Sequence, residues 1–127
     1  MYARFVGYNF DIRFNAVFSA YSEKDNLEEA EDEVFEMHDK TMDNNDFKDL
    51  DKTTVDSQQK LNRGWKMKLY STFMVNVTAP DFEEALDVAV GMVDDMELTP
   101  GLHLETFGYD NYEMVYEPEY VMRGEDV

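Results

Sequence analysis

Two stretches in which apolar and polar residues alternate constrain the fold of this chain more than any other feature. From Tyr8 to Ala20, the residues Phe10, Ile12, Phe14, Ala16, Phe18 and Ala20 share one side, while Asp11, Arg13, Asn15 and Ser19 fall on the other. Further on, Trp65, Met67, Leu69, Ser71, Phe73, Val75 and Val77 alternate with Lys66, Lys68, Tyr70, Thr72, Asn76 and Thr78. Successive side chains of a strand point to opposite faces, so each stretch predicts a long strand with one face on a core. An apolar sheet face must be covered, and the chain supplies two helical patterns to do it.

The first pattern follows the first strand. Ser22 and Asp25 offer N-cap oxygens, and Asp25 with Glu28 has capping-box spacing. Leu27, Ala30, Val34, Met37 and Thr41 recur at helical spacing, which predicts a helix from Asp25 to about Met42 with that stripe inward. The second pattern follows the second strand, where Pro80 stops the strand, Asp81 caps, and Glu84 stands at the third position after it. Its inward side is Phe82, Ala85, Leu86, Ala89, Val93 and Met96, ending at Leu98-Thr99-Pro100-Gly101. Being the more apolar of the two, this helix is expected to lie deeper on the sheet.

Between the halves, Thr53, Val55, Ser57 and Gln59 suit one face of a polar edge strand, with Asn62-Arg63-Gly64 as the turn leading out. Leu102, Leu104 and Thr106, then Tyr112, Met114 and Tyr116, give a closing strand with a bulge or hairpin at Gly108 to Asn111. The order β-α-β-β-α-β predicts an α+β single domain of the ferredoxin-like βαββαβ plan, an antiparallel sheet with two helices on one face. The expected domain covers residues 1–118, and 119–127 form an acidic C-terminal tail. A fold of this kind hosts many unrelated activities, so function has to come from the residues it displays.

Those residues are acidic. Between Glu23 and Asp46 stand eleven carboxylates against Lys24 and Lys40, and eleven minus two leaves nine of the chain's formal net charge of -18 on 24 residues. One carboxylate per ~2.2 residues of helix is one per ~3.3 Å of axis, against ~3.4 Å per phosphate along one DNA strand. After discounting those that point inward, the partner-binding candidates are Glu28, Glu29, Asp32, Glu36 and Asp39 on the outer arc, continued by Asp43 and Asp46 in the following loop. Such a surface points to an acidic binding protein that mimics DNA and inhibits a basic nucleic-acid-binding partner, a nuclease or DNA-binding factor. Phage-encoded anti-restriction and anti-CRISPR inhibitors act in this way, in the host cytoplasm. The alternatives are a viral structural or assembly component and a salt-adapted acidic domain of unrelated function.

Other classes find less support. The 11 basic residues are outnumbered by 29 acids, so direct nucleic-acid binding is disfavoured; Lys60, Arg63, Lys66 and Lys68 form the one local basic cluster. Cysteine is absent, which removes thiolate chemistry and disulfides. Asp43-Asn44-Asn45-Asp46 opens like a calcium loop, but Phe47, Lys48 and Thr54 occupy positions where such a loop needs ligands or glycine. No enzyme motif, cofactor, metal-ligand spacing or membrane span is expected. His38 is expected on a charged helix face that favours its imidazolium, and His103 on a strand surface. Tyr109, Tyr112, Tyr116 and Tyr120, among Asp110, Glu113, Glu117 and Glu119, form a second candidate surface, aromatic and acidic.

Overall fold

A computed structural model describes the backbone of residues 2–123 and the side chains of residues 7–114. Its elements are β1 (Tyr2–Ser22), α1 (Leu27–Asn44), β2 (Lys48–Asp49), β3 (Thr54–Lys60), β4 (Trp65–Ala79), α2 (Phe82–Asp94) and β5 (Leu102–Arg123). The result is a mixed α+β domain, one antiparallel sheet of five strands with two helices.

The two alternating stretches pair with each other. β1 and β4 run antiparallel without a register break from Tyr8↔Ala79 to Ser22↔Trp65, which sets Phe10 opposite Val77, Phe14 opposite Phe73 and Phe18 opposite Leu69. Their apolar sides therefore form one face, where Phe14 stacks on Phe73 and Phe73 on Phe47. Both helices cover that face: His38 of α1 meets Phe18 edge-on at 5.7 Å, and Phe82 of α2 tilts against Phe10 at 6.0 Å. The opposite face is polar, laced by side-chain bonds between Asn15 and Thr72 (2.9 Å) and between Asp11 and Asn76 (2.8 Å).

The sheet order is β2-β4-β1-β5, with β3 also on β4, and differs from the four-strand ferredoxin-like order expected. The cause is local. Asp51 adopts a left-handed backbone (φ 56°) and donates its N–H to the Asp49 carboxylate at 2.9 Å, so the chain leaves the edge after two residues. It returns at Thr54, and a register shift between Val55 and Ser57 puts Thr54, Ser57 and Gln59 on one side and Val55 and Gln58 on the other, breaking the alternation expected there.

The interruption near Gly108 is a bulge and not a hairpin, because β5 pairs with β1 throughout. Register shifts at Val17/Phe18 and Arg13/Phe14 leave Glu105 and Asp110 as extra residues. Thr106 is thereby turned away from the face of Leu104, and Phe107, opposite Ala16, takes the core side. Both extra carboxylates find partners beyond the strand: Glu105 accepts from Ser19 Oγ at 2.7 Å, and Asp110 pairs with Arg13 Nε at 2.9 Å. The β5 backbone continues opposite Tyr2–Tyr8 as far as Arg123, so residues 119–123, expected in the tail, lie in a strand. Residues 124–127 lie outside the described residues.

Each helix departs from expectation in one respect. α1 is capped by Asn26, whose side chain accepts from the Glu29 N–H at 3.0 Å; Asp25 is occupied elsewhere, accepting from Gly64 N–H at 3.0 Å and from Lys60 at 3.3 Å. α2 is capped by Asp81 as expected, but two residues of its expected inward side, Phe82 and Leu86, are only half-buried. It buries Ala85, Ala89 and Val93 while Val88, Val90 and Met92 stay exposed. Among the described residues no helix is long and apolar enough to cross a membrane.

Candidate functional site

The position of α1 on the sheet decides which carboxylates reach solvent. Its buried residues are Ala30, Val34, His38, Thr41 and Met42. At ~100° per residue these fall within an arc of ~120°. On the opposite side Glu28, Asp39, Asp32, Asp43, Glu36 and Glu29 follow in that angular order across only ~100°. All six are exposed, as is Asp46 just past the helix. The fold thus brings six of the seven residues the sequence nominates onto one arc and leaves Asp46 exposed just past it, with one change: Asp43 belongs to the helix itself and not to the loop.

Along the axis the six helical carboxylates, Glu28 to Asp43, are spread over ~15 rises, ~22 Å, or one per ~4.5 Å. That is sparser than the ~3.4 Å of a single DNA strand, because inward and lateral acids no longer count. Glu33, for one, is half-buried and accepts a short hydrogen bond from Ser22 Oγ. Little cancels the remaining row. Among the described residues, Glu28, Glu29, Asp32, Asp43 and Asp46 have no cation within 4.0 Å, and Glu36 has only the exposed Lys40 at 3.8 Å.

A second acidic row, not singled out from the sequence, lies on the same side of the molecule. Glu83, Glu84, Asp87, Asp94 and Asp95, on α2 and at its C-cap, are all exposed. The pattern Glu83-Glu84, Asp87, Asp94-Asp95 was its signal. Asn45 links the two rows, donating to the Glu97 carbonyl at 2.8 Å and accepting from the Glu97 N–H at 2.9 Å. The C-terminal ends of both acidic helices are thereby held together.

The structure also corrects the expectation for His38. It sits at the centre of the buried stripe of α1, fully enclosed, and not on a charged face. Its Nε2 lies 2.6 Å from the Ser71 hydroxyl and its Nδ1 3.1 Å from an Asp39 oxygen, with Asp49 of β2 at 3.9 Å. Serine, histidine and carboxylate stand here in the connectivity of a hydrolytic triad, but Ser71 is fully buried, so no substrate carbonyl can approach its oxygen. The polarity of Ser71 within an apolar alternation was the one hint of this cluster in the sequence. His103, by contrast, is exposed on β5 as expected.

The aromatic surface resolves in part. Tyr109 and Tyr112 are both about two-fifths exposed and pack around Phe82, Tyr112 stacking on it at 4.0 Å. Partial burial, with Tyr112 and Asp110 nearby, raises the ionisation of Tyr109 above the ordinary tyrosine value. The side chains of Tyr116 and Tyr120 lie outside those described.

Comparison of the chain with protein-family models, with curated proteins and with solved structures returns no match.

Proposed function

We propose that this protein is an acidic binding module that acts as a DNA mimic, occupying the basic groove of a nuclease or other nucleic-acid-binding protein and so inhibiting it. The observation that carries this proposal is the row of seven exposed carboxylates, six of them on one ~100° arc of a helix pinned from behind by its buried stripe. A helix held in this way presents fixed charge, and a partner gains from it without ordering a flexible tail. The acidic row of α2 widens the field to two lines of charge, as a duplex has two strands. Association is expected to be fast and strongly weakened by salt. An anti-restriction or anti-CRISPR inhibitor, phage-encoded and working in the host cytoplasm, fits this chemistry.

The test compares the wild-type chain with the Glu28→Gln, Glu29→Gln, Asp32→Asn, Glu36→Gln variant as bait in host extract at low salt. Expected is capture of a DNA-binding protein by the wild type, its release by added duplex DNA, and no capture by the variant. Capture indifferent both to duplex DNA and to the four substitutions would overturn mimicry.

An assembly role is the second possibility, favoured by a specific feature: β5 is 22 residues long and, among the described residues, pairs on one side alone, with β1. Salt-independent self-association in size-exclusion chromatography would favour it. As to architecture, we infer a ferredoxin-like plan with a split edge strand. Support comes from the central place of β1 between β4 and β5, and from β2 and β3 sharing the outer edge of β4.

A further inference from the structure

The cluster around His38 has a chemistry that neither the acidic rows nor the core requires. A buried histidine with a purely structural role needs one partner per ring nitrogen. Here Nδ1 faces two carboxylates from different elements, Asp39 of α1 at 3.1 Å and Asp49 of β2 at 3.9 Å, and the three donor atoms lie within 4.8 Å of one another. We propose that His38 Nδ1, Asp39 and Asp49 form a binding site for one divalent first-row transition cation of the zinc type, with Ser71 as the positioning residue behind the imidazole.

Three features support this assignment. The first is geometric. Donors bound to one ion at ~2.1 Å stand ~3.0 Å apart at right angles, ~3.4 Å apart in a tetrahedron and ~4.2 Å apart in line. The two measured imidazole–carboxylate separations fall inside that window, and the exposed Asp39 carboxylate (64 % accessible) is free to turn and close the third.

The second is the far side of the ring. When Nε2–H donates to the Ser71 oxygen at 2.6 Å, the Nδ1 lone pair is left pointing at the carboxylates. Metal-binding histidines are commonly held in this way, by a second hydrogen bond that fixes the tautomer. Thr53 Oγ1, 3.4 Å from Nε2 and 3.5 Å from Ser71 Oγ, closes the pocket behind. Ser71 is itself fully buried, and the contacts of its hydroxyl are His38 Nε2 and Thr53 Oγ1.

The third is charge and access. Two carboxylates and a neutral imidazole carry a charge of minus two, which a divalent ion cancels, and a neutral site is the one tolerated beside a core. His38 is fully enclosed, but the carboxylates against its Nδ1 open on solvent (Asp39 64 %, Asp49 23 % accessible), so an ion reaches Nδ1 once the Asp39 side chain swings outward. One nitrogen with two oxygens, and no cysteine thiolate in the chain, suits zinc or manganese better than soft ions; the nitrogen disfavours calcium and magnesium. Bound there, the ion would tie β2 to α1 across the point where Asp51 pulls the chain off the sheet. The site shares Asp39 with the acidic row, but His38, Asp49 and Ser71 are not among its seven residues, so substitutions at those three test the cation site separately from the proposed DNA mimicry.

A strongly acidic surface collects divalent ions everywhere, so the test has to be specific to this imidazole. In a His103→Gln background His38 is the one remaining histidine, and its ring ¹⁵N signals are followed while Zn²⁺ is added in the presence of excess Mg²⁺. Expected is saturation at one equivalent, with the Nδ1 resonance shifting to a coordinated value while Nε2 stays protonated. Calorimetry should show that Asp49→Asn and Ser71→Ala each weaken Zn²⁺ binding by ~10- to 100-fold. Asp56→Asn, a surface carboxylate on β3, should leave it unchanged, and circular dichroism checks that each variant is folded. An imidazole that keeps protons on both nitrogens throughout the titration overturns the site, and so does equal Zn²⁺ affinity in the folded Asp49→Asn variant.

Discussion

Asp32 offers the sharpest test of the idea that α1 is arranged for its surface charge and against its own stability. It is the sixth residue of the helix, beyond the first turn where the helix dipole favours acids. Its side chain is exposed, and no hydrogen bond or ion pair holds it among the described residues. Like charges surround it on the helix surface: Glu28 four residues before, Glu29 three before and Glu36 four after. Each such pair costs ~0.2–0.5 kcal/mol at low salt, so the three together cost about 1 kcal/mol. Asp32→Asn removes all three repulsions with little change in volume or helix propensity. The variant should therefore be more stable than the wild type by about 1 kcal/mol, a rise in Tm of about 4 °C for a chain of this size. Urea denaturation at low salt and again in molar KCl makes the measurement. In molar salt the Debye length falls to ~3 Å, shorter than the ~5–6 Å between neighbouring positions, so the gain should nearly vanish. A variant that is destabilised, or whose gain is the same in both salts, would refute the claim that these charges strain the helix electrostatically.

Three further outcomes are expected. Gly64→Ala should destabilise the fold by at least ~2 kcal/mol in urea denaturation, because Gly64 has a left-handed backbone (φ 81°) and an added Cβ would meet the Ser22 carbonyl oxygen at 1.9 Å; a change below ~0.5 kcal/mol would contradict this. Ser71→Ala should cost ~1–3 kcal/mol, since it leaves the buried His38 Nε2 with only Thr53 at 3.4 Å, and wild-type stability in that variant would show the bond to be dispensable. The Asp25 carboxyl should titrate below the ordinary carboxylate value, held down first by the Gly64 N–H and then by Lys60. Because the folded value is the lower one, this contact stabilises the protein above pH ~3.9 and the contribution is lost as pH falls through the folded value; a ¹³C titration of Asp25 at or above the ordinary value would rule the contact out.

Local pattern settled much of this protein. The unbroken alternation of Phe10 to Ala20 and of Trp65 to Val77 fixed both central strands and the face each turns to the core, because strand side chains have a period of two and one face must be buried. Asp81 with Glu84 announced the start of α2. The seven outward carboxylates were legible for the same reason, since a helix whose apolar stripe is known has a known outer arc.

Other features depended on residues far apart in the chain. Asp25 has the spacing of a cap, yet Gly64, 39 residues away, takes its carboxylate and leaves the cap to Asn26. The bulge at Glu105 reversed the alternation of β5 and the one at Asp110 restored it, and Ser19 and Arg13 on β1 supply their partners. His38 looked like one more charged position on an acidic helix. What put it inside was the pairing of Ser71 with Ala16 on the sheet beneath and the return of β2 beside it, which together supplied the hydroxyl and the second carboxylate that a buried imidazole accepts. Periodicity determined which side of each element is apolar; only long-range pairing, by bringing polar groups into hydrogen-bonding reach, decided which polar residues could join the interior.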